Sequence, residues 1–119
     1  MQYMIMMFGS AEEMMKTVEP EWVTEMIGFM IQIDKDLTES GELVYNAGLA
    51  DGSQAKLVSY DNGSITTTDG PFAEAKESLI GFWVLDVASE DRIVEIAGSI
   101  AKWSRVVEVR PLGEAPPEV

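Results

Sequence analysis

Two stretches of this chain are apolar on both alternating faces, and that limits the available folds more than any other feature. Residues 2–8 read QYMIMMF, with Tyr3, Ile5 and Met7 on one face of an extended strand and Met4, Met6 and Phe8 on the other. Residues 79–87, LIGFWVLDV, are apolar on both faces as well. Strands of this kind belong at the centre of a sheet, with cover on both sides. The rest of the chain must supply that cover.

From 20 to 40 the spacing turns helical. At about 100° per residue, Met26, Ile27, Phe29, Met30, Ile33 and Leu37 gather on one broad arc. Pro20 suits a first-turn position and Gly41 a C-terminal stop. Residues 12–16 read as a short helical turn. Residues 43–50, 55–60 and 64–68 read as strands. The last two are joined by Asp61-Asn62-Gly63, where Asn-Gly readily takes positive φ in a hairpin turn. After 79–87, Ser89 is placed to cap a second helix, with Glu90 and Asp91 at its positive end. There Ile93, Ile96, Ala97, Ile100 and Trp103 share an arc, and Glu95, Ser99 and Lys102 lie opposite. RVVEVR, residues 105–110, reads as the final strand.

The order predicts an α+β domain with a ferredoxin-like βαββαβ arrangement, an antiparallel sheet and an extra hairpin. One domain spans 1–112, and 113–119 is a C-terminal tail. A split βαβ arrangement places both helices on one face of the sheet. Leaving the other face wet forfeits roughly 1.5–3 kcal/mol for each large apolar side chain. An identical sheet is the simplest cover, so a homodimer packed sheet against sheet is expected. A ligand or the tail is the alternative cover.

Composition excludes several function classes. The chain has no Cys, which removes disulfides, thiolate metal sites and cysteine nucleophiles. It has no His, the commonest general base and transition-metal ligand. A formal charge of −13, with eight Lys and Arg against 21 acids, opposes direct contact with nucleic acid or an anionic membrane. The opening residues lack a basic region and read as a strand, and no run approaches membrane-spanning length. A cytoplasmic location is expected.

TDGPFAEAKE, residues 68–77, runs a turn-forming Asp69-Gly70-Pro71 into three charged side chains and then the apolar strand. Together with LIGFWVLDV, VEVRP at 107–111, the opening QYMIMMFG and the middle segment GELVYNAGLADGSQAKLV, it resembles the DGPF family, grouped with the YCII-like proteins. The resemblance covers nearly the whole chain. It implies a dimeric α+β barrel of ferredoxin-like subunits. It also implies two kinds of role: an enzymatic one, proposed for YCII relatives from a His and an Asp, and one around transcription, suggested by DGPF domains joined to sigma-factor-like regions. With no His here, that His–Asp pair cannot form.

The candidate site residues divide by chemistry. Asp69 and Glu74 are the candidates for proton handling, and Lys76 and Arg110 for holding an anion. The plainer reading makes Asp69 a cap on the turn that Pro71 opens, and Glu74, Lys76 and Glu77 a solvated cluster guarding the next strand. Phe72 reads as a ligand platform or a core anchor. Arg110 shares a strand face with Glu108, which suits an ion pair. Asp34 falls between Val23 and Ile27 on the helical wheel, inside the apolar arc. It can line a cleft, pair with an Arg, or sit at the stripe's edge. All eight methionines fall within the first 30 residues, either as core filler or as the wall of an adaptable pocket.

Two functions follow. The first is a dimer with an acid-rimmed apolar cleft that binds or transforms a small organic molecule. The second is a non-catalytic regulatory module working through protein contacts. No motif supports a metal or nucleotide cofactor, because phosphate-binding glycine loops and calcium-loop spacing are both missing.

Overall fold

The computed structural model describes residues 1–9, 18–70 and 78–113. The chain runs β1 (Gln2–Gly9), α1 (Pro20–Glu39), β2 (Leu43–Gly48), a 3₁₀ turn over Gly52–Gln54, β3 (Lys56–Asp61), β4 (Ser64–Asp69), β5 (Ser78–Asp86), α2 (Glu90–Ser104) and β6 (Glu108–Pro111). Four strands form one sheet in the order β2-β5-β1-β6, and every neighbouring pair is antiparallel. This is the ferredoxin-like α+β arrangement. The β3–β4 hairpin forms a separate two-stranded ribbon. The two strands read as apolar on both faces, β1 and β5, are the central pair. The proposed helical turn at 12–16 and the stretch 71–77 lie outside the described residues.

Alternation along the central strands decides where the core sits. Tyr3 and Ile5 of β1 lie opposite Leu85 and Trp83 of β5, on one face of the sheet. Ile33 and Leu37 of α1 and Ile93, Ile96, Ala97 and Ile100 of α2 close over them in a single buried cluster. Both helices therefore cover the same face. Ile5, Leu85, Ile93 and Ile100 have no exposed surface, each worth roughly 1.5–3 kcal/mol by burial. The reverse face presents Met4, Met6, Phe82 and Val84, all half-buried, with Tyr45 60% exposed. The Tyr45 and Phe82 rings lie 5.9 Å apart there. No described helix covers that side.

Local chemistry fixes the helix ends. Pro20 opens α1 at its first turn. At the other end Gly41, at φ +80°, lets its own N–H reach the Thr38 carbonyl while the Glu42 N–H reaches Leu37. That pair of bonds satisfies carbonyls that the last turn leaves free. The Ser89 hydroxyl accepts from the Arg92 N–H and starts α2, with Glu90 and Asp91 in its first turn. The helices are fastened to each other by aromatic contacts of Trp103 with Trp22 at 5.4 Å and with Phe29 at 5.8 Å.

Two sequence expectations are corrected. The last strand begins at Glu108, not at 105, because α2 runs through Ser104 and Arg105 closes it at φ 76°. An arginine in a conformation usually left to glycine hides that stop from sequence reading. Ile27 is 50% exposed although it shares the helical arc. In α1 the buried positions are Val23, Ile33 and Leu37, a narrower stripe than the pattern suggests.

Candidate functional site

Met26, Met30 and Asp34 follow at intervals of four residues, so they form one row along α1. That row, with Met7, Asn46, Gly48, Gly81 and Trp83 of the sheet, borders an open cleft of about 360 Å³. The register explains the space. Asn46 lies opposite Trp83, and Gly48 lies opposite Gly81, which is also opposite Met7. Trp83 points to the helices, and alternation puts Gly81 and Gly48 on that same side. Two facing glycines leave the floor without side chains. A methyl group built on Gly48 meets no atom within 4 Å, whereas one on Gly81 meets the Ala47 carbonyl oxygen at 3.5 Å.

Trp83 is 7% exposed, and its indole N–H needs an acceptor. It donates to Asp34 Oδ1 at 3.0 Å. An ionised carboxylate makes such a bond stronger than a neutral acceptor would. It also holds the carboxylate in place at the cleft wall. A carboxylate there accepts from a hydroxyl, amide or ammonium group, and the Asn46 amide can donate and accept. The three thioethers give the wall an adaptable apolar surface. The arrangement suits a small, mostly apolar molecule with at least one hydrogen-bond donor.

The remaining sequence candidates do not join this cleft. The carboxylate of Asp69 closes the base of the hairpin, where Lys56 Nζ donates to it at 2.7 Å, and its side chain is 86% exposed. Arg110 donates to Glu108 at 2.7 Å. Both lie in β6 at positions opposite Met4 and Met6, on the helix-free face, while Val109 lies opposite Ile5. Asp34 and Arg110 are thus on opposite sides of the sheet. Phe72, Glu74 and Lys76 lie outside the described residues.

A second charged cluster is structural in its geometry. Both oxygens of Glu42 accept from Arg92, at 2.8 and 2.9 Å, and the Ser40 hydroxyl donates to it at 2.8 Å. Arg92 also pairs with Glu95. The hydrogen bonds from Arg92 hold the Glu42 carboxyl below its ordinary range, against the opposing effect of burial. Glu42 in turn raises the pKa of the guanidinium. The pair ties the start of β2 to the first turn of α2.

Sequence reading singled out Asp34 and the methionines but missed Trp83, Asn46 and the facing glycines. One signal was available: an aspartate inside an apolar arc requires a donor, and an indole on a two-faced strand can supply it.

Comparison with known proteins agrees with this architecture. A family model for the YCII-related domain matches residues 1–114. An uncharacterized protein of Rhizobium meliloti (strain 1021) is 34% identical over 83 residues, covering 67% of each chain. A match over almost the entire length, with the ferredoxin-like order and the DGPF stretch, assigns this chain to the YCII-related family.

Proposed function

We propose that the protein is a homodimer, paired through the helix-free faces of its sheets, whose cleft beneath α1 binds or transforms a small organic molecule. The observation that carries the cleft reading is the carboxylate of Asp34, held by Trp83 at the wall of an apolar space. On this reading Asp34 orients the ligand through a donor group, and the methionines fit its apolar body. Where the bound molecule is transformed, Glu74 is the candidate for proton transfer, since Asp69 is paired with Lys56 away from this cleft. Phe72 and Lys76 are the further candidates for ligand contact, whereas Arg110 lies across the sheet from this cleft.

The pairing rests on the half-buried Met4, Met6, Phe82 and Val84, a surface that a second copy would remove from water. The charge of −13 supports contacts with small molecules or protein rather than nucleic acid.

A thermal-shift screen against small alcohols, amines, lactones and aromatics tests the reading. A ligand should stabilise the wild type and fail to stabilise Gly48→Val, whose side chain occupies the cleft. Equal stabilisation of both proteins would place binding elsewhere. The second reading, a regulatory module that works through protein contacts in transcription, draws on the exposed apolar ribbon β3–β4. A screen that finds no ligand, with a defined protein partner bound through that ribbon, would favour it.

A further inference from the structure

We propose that the β3–β4 ribbon is an arm that clasps a second copy of this chain, laying Val58, Tyr60 and Ile65 against it. The proposal rests on the paired-sheet reading and adds the arm to that contact. Tyr60 lies opposite Ile65 and Val58 opposite Thr67, so these four side chains share one face. Val58, Tyr60 and Ile65 are 67%, 75% and 71% exposed. No residue of β4 is buried, and Leu57 alone is half-buried in β3.

The ribbon is well defined at both ends. Asn62 and Gly63, at φ 49° and 81°, form its turn. At its base the Gly70 N–H donates to the Ala55 carbonyl at 2.9 Å, and Lys56 pairs with Asp69. Between these ends nothing described covers the apolar face. A lone two-stranded hairpin is marginal in water.

Interface area argues that the occupant is another copy. Four strands at about 4.8 Å spacing and about 20 Å length give the helix-free face an area on the order of 400 Å². A standard interface removes about 800 Å² from each partner. Sheet pairing alone falls short of that. The arm's face adds on the order of 200 Å². In a two-fold pair each copy both offers one arm and receives one, which brings the contact to the standard size. Beyond the Lys56–Asp69 pair at its base, which neutralises itself, the arm face carries no charge, so it needs an apolar complement and not a basic one. A second copy brings its own uncovered apolar surface.

Sedimentation equilibrium over a dilution series tests this on three full-length proteins: wild type, the arm variant Val58→Thr/Tyr60→Thr/Ile65→Thr, and the sheet-face variant Val84→Glu. Circular dichroism confirms that each is folded, and threonine keeps the strand preference of the arm. The wild type should dimerise, Val84→Glu should be monomeric, and the arm variant should dimerise roughly a hundredfold more weakly. Amide exchange should be slow across 56–69 in the dimer and fast in the Val84→Glu monomer. An arm variant with wild-type affinity and a fast-exchanging arm in a dimer that Val84→Glu abolishes would overturn the clasp and leave the sheet pairing intact. A wild type that stays monomeric at every concentration would remove both.

Discussion

Trp83 on the central strand and Asp34 on α1 are joined at 3.0 Å, a buried donor satisfied by a half-buried carboxylate. The bond links stability to the cleft. Asp34→Ala strands the indole N–H and should cost about 1–3 kcal/mol in urea unfolding. Asp34→Asn keeps an acceptor and should cost less. In a double-mutant cycle with Trp83→Phe, the coupling should be about 1–2 kcal/mol. Additive losses would mean that the bond contributes nothing to folding.

Gly48 bears the opposite relation to stability. Its backbone is not in the positive-φ region, and a methyl built on it meets nothing within 4 Å. Glycine inside a strand is less stable than alanine by roughly 0.5–1 kcal/mol. Gly48→Ala should therefore raise the unfolding free energy by up to about that amount while narrowing the cleft. A loss of stability would show that the strand needs the glycine for a close approach.

The ends and faces of elements were legible where the cause is local. Pro20, Gly41, Ser89 and Asn62-Gly63 each act within a few residues of chain, and the structure uses each as its chemistry suggests. The central position of 2–8 and 79–87 was legible too, because only a strand covered on both sides tolerates two apolar faces. The cleft was legible in part. Asp34 was conspicuous in its arc, but its donor lies 49 residues away on a strand whose register cannot be read locally. The same holds for Gly48 and Gly81, which matter only because they face each other. Arg105 misled the placement of β6 because it closes α2 at positive φ, a conformation that an arginine does not announce in sequence.

Gly41 provides a test of the local rule. At φ +80° an L side chain meets its own backbone, although no neighbouring atom lies within 4 Å of the built methyl. Gly41→Ala should destabilise the protein by about 1–2 kcal/mol through backbone strain alone. Calorimetry should show this as a lower Tm. An unchanged Tm would mean that the end of α1 can relax to another conformation without cost.

Glu42 ties β2 to α2, and its carboxyl is held below its ordinary pKa chiefly by hydrogen bonds from Arg92. A carboxyl depressed on folding stabilises the native state only where the unfolded chain is also ionised. That contribution is present above the unfolded value of about 4.3 and is lost as pH falls through the folded value. The side chain is 17% exposed and Arg92 37%, so solvent weakens the pair to about 1–2 kcal/mol. Glu42→Gln should therefore be less stable than wild type by that amount at pH 7. The gap between the two should close as pH falls below about 4.3. The other carboxylates titrate in both proteins, so their effects largely cancel in the difference. Urea unfolding of the two proteins from pH 7 to pH 3 measures it directly. A gap that stays constant across that range would mean that the ionised form of Glu42 does not fasten the strand to the helix.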